Sequence, residues 1–253
     1  MILSAERIVV TFDGFRAVDD ASLAVEEGAI AGLVGPNGAG KSSLFGAIAG
    51  SLRATSGRVV LEGHDISRDP DFMRARRGLA RTFQVPREFS HLTVVENLSA
   101  AVPGQAGERL GSLFFRPGAV RADERRVAER VAEVIEVVGL RAVADLAAGR
   151  LSGGQRKLLE LGRALLTEPR ILLLDEPFGG VNPVLIEQLI GILRGLSARG
   201  ITLLVVEHNL GALSQLADTL HVMDRGRIIA SGPPAEVLAD PEVQSAYLGT
   251  IAP

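Results

Sequence analysis

Residues Ala29-Ile-Ala-Gly-Leu-Val34 run apolar into Gly35-Pro-Asn-Gly-Ala-Gly-Lys-Ser42, and a helical pattern, Ser43-Leu-Phe-Gly-Ala-Ile-Ala49, follows at once. Strand, glycine-rich loop and helix in that order are what a phosphate loop of the form G-x-x-x-x-G-K-[ST] requires. Its three glycines let the backbone turn successive N–H groups inward on a polyanion, and the helix N-terminus adds the positive end of its dipole. The expected phosphate-binding set is Gly35, Asn37, Gly38, Ala39, Gly40, Lys41, Ser42 and Ser43. Lys41 is expected to reach the β- and γ-phosphates as a point charge, and the Ser42 hydroxyl to ligate Mg2+.

Further along, Ile171-Leu-Leu-Leu-Asp175-Glu176-Pro177 is a second apolar run that ends in two adjacent carboxylates. Side chains alternate along a strand, so the two acids serve different tasks. Asp175 is placed to hold Mg2+ through its water shell, the Walker B role. Glu176 then falls near the γ-phosphate, where it can polarise the attacking water as a general base. An acidic pair alone would read as a solvated turn; the phosphate loop upstream favours the catalytic reading.

Between these two segments, Leu151-Ser-Gly-Gly-Gln155 opens another helical pattern, Arg156-Lys-Leu-Leu-Glu-Leu-Gly-Arg-Ala-Leu-Leu166. A serine and two glycines at a helix N-terminus make a second anion site. One nucleotide per chain would leave that site unused, which implies a second subunit.

Leu151–Gln155, set between the phosphate loop and the acidic pair, resembles the signature of ABC transporter ATPases, and the similarity covers nearly the whole chain. The resemblance implies an α/β P-loop NTPase fold, with a RecA-like parallel-sheet core, an antiparallel β subdomain and a helical subdomain. It implies ATP and Mg2+ as cofactors and a head-to-tail dimer, in which Ser152 and Gly154, with Gly153 and Gln155 beside them, meet the nucleotide held by the other subunit. Gln84 matches the family's Q-loop glutamine, an amide that touches Mg2+ or the attacking water. His208, in Val205-Val-Glu-His-Asn209, matches the switch histidine that donates to the γ-phosphate. Phe12, before Asp13-Gly14, resembles the adenine-stacking aromatic; Phe15 is its rival, and packing within an early strand is the alternative for either. Gly179-Gly-Val-Asn-Pro183 stands at the D-loop position, with Asn182 where an Asp is usual.

A finer resemblance lies in Arg81-Thr-Phe-Gln-Val-Pro86, Leu92-Thr-Val-Val-Glu-Asn-Leu98 and the ending from Gly232 to Gly249, which are similar to the LivG-type ATPase of branched-chain amino-acid importers. Relatives of that subgroup serve urea, amides and aromatic acids. The implied partners are a second ATPase subunit, identical or a related paralogue, membrane permease subunits met by the segment from Gln84 to Asn97, and indirectly a substrate-binding protein. A single phosphate loop and a single signature agree with two chains per working unit.

Residues 1 to about 30 and 57 to 63 alternate apolar and polar between turn signals such as Asp13-Gly14, Glu27-Gly28 and Glu62-Gly63, which predicts an antiparallel sheet beside the nucleotide core. Apolar residues recur at three and four in Val127–Val138 and stop at Gly139, which predicts a helix. Pro103 to Ala122, with Phe114-Phe115, reads as a loop or insertion. The expected organisation is one ATPase domain over 1–253, with 1–84 and 168–253 forming the nucleotide core and β subdomain and 85–167 the helical subdomain.

The 253 residues, 47% hydrophobic and 23% charged, suffice for a full core. There is no run of the roughly 18 apolar residues that a membrane span needs, so membrane contact is expected through a partner. Met1-Ile-Leu-Ser-Ala-Glu-Arg7 lacks the features of a secretory signal, and the chain has no cysteine; a cytoplasmic address, peripheral on the inner face of the membrane, is expected. A net charge of −3 argues against nucleic acid as a partner. Lys41 and Lys157 are the only lysines among 27 basic residues, which makes a lysine in the phosphate loop more informative.

Overall fold

The three most apolar runs form neighbouring parallel strands: β3 (Ile30–Val34), β7 (Ile171–Asp175) and β8 (Thr202–Val206). In the computed structural model, which describes residues 1–82, 88–108 and 117–248, they lie in a six-stranded sheet. Its order is β10 (Arg227–Gly232), β9 (Thr219–Asp224), β3, β8, β7 and β6 (Leu79–Arg81), with only the β10 edge antiparallel. Every residue of β3 and β8 is buried. Central strands covered on both faces have no solvent side on which to place polar residues, so they read as continuous apolar runs.

The alternating N-terminal segments form a second, antiparallel sheet, ordered β2 (Phe15–Val25), β1 (Leu3–Phe12), β4 (Ser56–Leu61) and β5 (His64–Asp65). Its inward residues, among them Leu3, Ile8, Val10, Leu23 and Leu61, share one core with Leu44, Phe45 and Ile48 of helix α1 (Lys41–Ala49) and with Leu33, Leu173, Leu204 and Val206 of the parallel sheet. Each fully buried Leu, Ile or Phe contributes about 1.5–3 kcal/mol by removal from water. The helix after the phosphate loop is thus clamped between two sheets.

Two buried polar groups tie this core. Arg74, on helix α2 (Asp71–Arg76), is 2% exposed and donates to the carbonyls of Ala47 (2.8 Å), Ile48 (2.5 Å), Asp69 (2.8 Å) and Ser67 (3.3 Å). Ala47 and Ile48 close the last turn of α1, so the guanidinium faces the negative end of that helix. His221 on β9 bridges the sheets: Nδ1 lies 2.8 Å from Ser231 Oγ and Nε2 3.1 Å from the Ala24 carbonyl. Burial holds its pKa below the usual histidine value, against the Ala24 contact.

The chain divides into two compact units, Met1–Gln84 with Arg170–Pro253, and Val85–Pro169. The second contains α3 (Val94–Ser99), α4 (Pro117–Val138) and α5 (Gly153–Leu165). The expected loop to Ala122 ends sooner, because α4 begins at Pro117. Proline suits a first helical turn, and Val120, Val127, Val131, Ile135 and Val138 share one buried face at helical spacing. Phe114 and Phe115 lie outside the described residues. The first unit ends with α6 (Pro183–Ala198), α7 (Leu210–Leu216), α8 (Pro234–Ala239) and α9 (Pro241–Leu248). Among the described residues no helix is long and apolar enough to cross a membrane.

Replacing Arg74 by Met strands buried carbonyls, and we predict a loss of about 2–4 kcal/mol in urea unfolding; an unchanged midpoint would refute the capping role. Below pH 6.5 the unfolded chain takes up a proton that folded His221 resists, so stability is expected to hold from pH 8 to 7 and fall toward pH 5. His221→Gln should flatten that slope in urea titrations at each pH.

Candidate functional site

Parallel pairing sets Leu33 of β3 and Asp175 of β7 both opposite Val206 of β8, so the three strands end on one row. From that row β3 leads into the phosphate loop, β7 into Glu176 and β8 into Glu207-His208. The loop is held from outside by the backbone: Gly226 N–H donates to the Ala39 carbonyl at 2.9 Å. Two glycines are sterically required. A Cβ on Gly35, at φ +155°, would lie 2.0 Å from the Met223 carbonyl, and one on Gly40, at φ +102°, would lie 2.2 Å from that of Ala17.

Lys41 starts α1 and is 8% exposed; its Nζ donates to the carbonyls of Gly35 (2.7 Å) and Pro36 (3.0 Å). Among the described residues it makes no ion pair. Burial pushes its pKa below the ordinary lysine range, and attraction from Glu176 and Glu207 opposes that shift. The N-terminus of α1 has no side-chain cap. A buried cation beside uncapped helix amides suits a polyanion, so the loop fits the phosphates of a nucleotide.

Around this loop the acidic pair and His208 converge. The Asp175 N–H meets Thr82 Oγ1 at 3.3 Å, which ties the end of β7 to the residue two before Gln84. Glu176 adopts φ +46°, and its N–H donates to the Val206 carbonyl at 2.9 Å. A left-handed backbone at a non-glycine residue persists only when its surroundings over-determine it. His208 Nδ1 lies 3.8 Å from Glu176 Oε1 and 3.6 Å from Glu207 Oε2. Gln84 is outside the described residues.

The Leu151–Gln155 motif belongs to the second unit. Ser152 caps α5 with a reciprocal pair: Ser152 Oγ accepts from Gln155 N at 3.2 Å, and Gln155 Oε1 accepts from Ser152 N at 2.9 Å. The serine hydroxyl proton stays available as a donor, beside Gly153 and Gly154. Phe12 and Phe15 flank the Asp13-Gly14 turn as opposed residues, 46% and 69% exposed. Neither packs in the core, which removes that alternative and leaves both aromatics free to stack.

The chain as a whole has similar proteins. The family model described as "ABC transporter" matches residues 18–179, and that of the "Branched-chain amino acid ATP-binding cassette transporter" matches 227–252. The "Probable branched-chain amino acid transport ATP-binding protein LivG" of Methanocaldococcus jannaschii is 39% identical, over 98% of this chain and 97% of its own length. The chain belongs to the ABC transporter family of ATP-binding subunits. The lipopolysaccharide export system ATP-binding protein LptB of Haemophilus influenzae is 35% identical over 98% of this chain and 97% of its own. A crystal structure of an ATP-binding cassette in its ADP conformation superposes with a TM-score of 0.82 at 38% identity, covering 98% of both chains.

This ABC subunit is therefore an ATPase, and its two units each hold polar groups that the sequence motifs do not single out. Asn182, the unusual D-loop residue, caps α6 by accepting from Leu185 N at 2.9 Å, a bond that Asp would also make. Asn97, wholly buried, accepts from Phe89 N and donates to the carbonyls of Phe89, Leu92 and Thr93, which holds Phe89 on the surface, where Arg163 stacks on its ring at 5.2 Å. The buried hydroxyl of Tyr247 on α9 lies beside the Gly35 backbone without a hydrogen bond of normal geometry, and burial pushes its pKa up to about 12. Asn-to-carbonyl ladders and a distant tyrosine carry no spacing signal in the sequence. Glu207 was open to a local reading, since it precedes His208, yet a charged residue past a strand normally marks a solvated turn.

Lys41→Ala is expected to weaken ATP binding at least tenfold, on the order of the 1.5–3 kcal/mol of a charge-assisted contact, as measured by titration with a fluorescent ATP analogue. Wild-type affinity in that variant would remove Lys41 from the phosphate site.

Proposed function

We propose that this ATPase powers the import of branched-chain or related amino acids, working as half of a head-to-tail pair on a membrane permease. The observation that carries the cargo class is the match of residues 227–252 to the branched-chain model, with whole-length likeness to a LivG protein. The LptB relative serves export, but that C-terminal match favours import. The permease and a second ATPase subunit hold the chain at the cytoplasmic face of the membrane, and a substrate-binding protein delivers cargo to the permease. Phe89 and Leu92, exposed beside α3, suit an apolar contact with the permease.

In this reading the phosphate loop, with Asn37, Gly38, Ala39 and Ser43, cradles ATP, and Phe12 stacks on the adenine. Ser42, Asp175 and Gln84 would hold Mg2+, which neutralises charge on the β- and γ-phosphates when bound. Glu176 takes a proton from the attacking water, and His208 donates to the γ-phosphate. Ser152 and Gly154 of each subunit meet the ATP of the other. The free hydroxyl proton of Ser152 supports that role, since the cap uses only its lone pairs.

Glu176→Gln should keep ATP binding, lose turnover by about 10²–10⁴-fold, and elute with ATP as a dimer on size-exclusion chromatography. Undiminished phosphate release would refute the general base, and a monomer under the same conditions the pairing. Loss of leucine, isoleucine and valine uptake on deletion of the gene is expected in cells; unchanged uptake of all three would refute the cargo class.

A further inference from the structure

Glu207 is fully buried, one residue beyond β8, and its own N–H donates to the Leu33 carbonyl at 3.1 Å. Its Oε1 accepts from Phe178 N at 2.6 Å, and its Oε2 from His208 N at 3.1 Å and Asn209 N at 3.3 Å. Burying a carboxylate is costly unless its oxygens are well bonded, and an apolar side chain would fill the same space without that cost. What the carboxylate adds is a bridge. One oxygen holds the turn that carries Glu176, and the other holds the turn that carries His208.

The Glu176 backbone makes such a bridge necessary. At φ +46° it sits in a conformation disfavoured for a side chain, and it needs restraint on both sides. Val206 O restrains it from the strand, by accepting Glu176 N–H at 2.9 Å, and Glu207 restrains it from the far side through Phe178. The Glu176 carboxylate and the His208 ring then stand 3.8 Å apart.

We propose that Glu207 is a positioning residue for ATP hydrolysis: its carboxylate locks the Glu176–Phe178 turn to the His208–Asn209 turn, so that base and histidine address the γ-phosphate as one preset pair. This rests on the roles given above to Glu176 and His208. Placement errors of an ångström at a reacting centre cost about 10²-fold in rate. Loss of the bridge should therefore act on turnover and leave the phosphate loop intact.

The test uses the full chain with Mg2+ and compares wild type, Glu207→Gln, Glu207→Asp and Glu176→Gln for kcat, for affinity toward a fluorescent ATP analogue, and for Tm. Glutamine presents an amide N–H to one of the two turns, and aspartate is a methylene too short to reach both. Both variants are expected to lose at least tenfold in kcat, on the order of a misplaced base, with nucleotide affinity within about threefold of wild type. Wild-type kcat in a folded Glu207→Gln would overturn the proposal, as would kcat and affinity that fall together with Tm. Failure of both variants to fold would assign Glu207 to folding alone and overturn it equally. If Glu176→Gln keeps wild-type turnover, the premise about the base falls; if Glu176→Gln is inactive while both Glu207 variants turn over normally, only the present proposal falls.

Discussion

The row formed by Leu33, Val206 and Asp175 is the constraint on which the rest of this ATPase depends. Parallel strands in that register release their chains at one level of one sheet edge, where open α/β sheets bind ligands. The phosphate loop, the acidic pair and the Glu207-His208 turn are far apart in sequence and meet only because those three strands are paired there. A slip of one residue would turn every side chain of a strand to its other face. Gly32 opposes such a slip in β3, since a side chain brought to its place would lie 2.7 Å from Leu213 and Leu220.

Around that row, strain and charge are concentrated in backbone that the core holds still. Gly35 and Gly40 pass so close to the Met223 and Ala17 carbonyls that no side chain fits. Glu176 is twisted into the left-handed region, and Lys41 and Glu207 are charged groups in the interior. Each departure has a neighbour that offsets it: carbonyls for Lys41, three N–H groups for Glu207, the Val206 carbonyl for Glu176. The far end of α1 is treated alike, with Arg74 satisfying the carbonyls of its last turn. The helix that follows the glycine-rich loop is thereby fixed at both ends.

Much of the fold was legible in the amino-acid order, for reasons that differ by segment. Strands buried on both faces announce themselves as apolar runs, and the alternation of residues 1–30 marks a sheet with one covered face. The start of α4 was not legible, because Gly118 and the surrounding arginines resemble loop composition, and only the burial of Val120 on the same face as Val127 and Val131 goes with a helix that extends back to Pro117. The choice between Phe12 and Phe15 stays a matter of exposure on both sides of one turn. Asn182 stands out in sequence as a departure from the family; in the structure it caps α6 with a bond that Asp would also make, and nothing in the structure explains the exchange.

By itself the sequence determined the family: a glycine-rich phosphate loop, the Leu151–Gln155 motif, an acidic pair and His208 stand in an order that belongs to one family of ATPases. Local residue types and spacings suffice for that, since each motif is a contiguous segment whose backbone geometry is set by its own glycines, caps and apolar runs. Only the tertiary structure decided which groups face one another. That a buried glutamate joins the turn of Glu176 to the turn of His208, and that Arg74 closes the helix begun by Lys41, follows from strand register and packing. Those contacts join residues distant in the chain, and no local pattern encodes them.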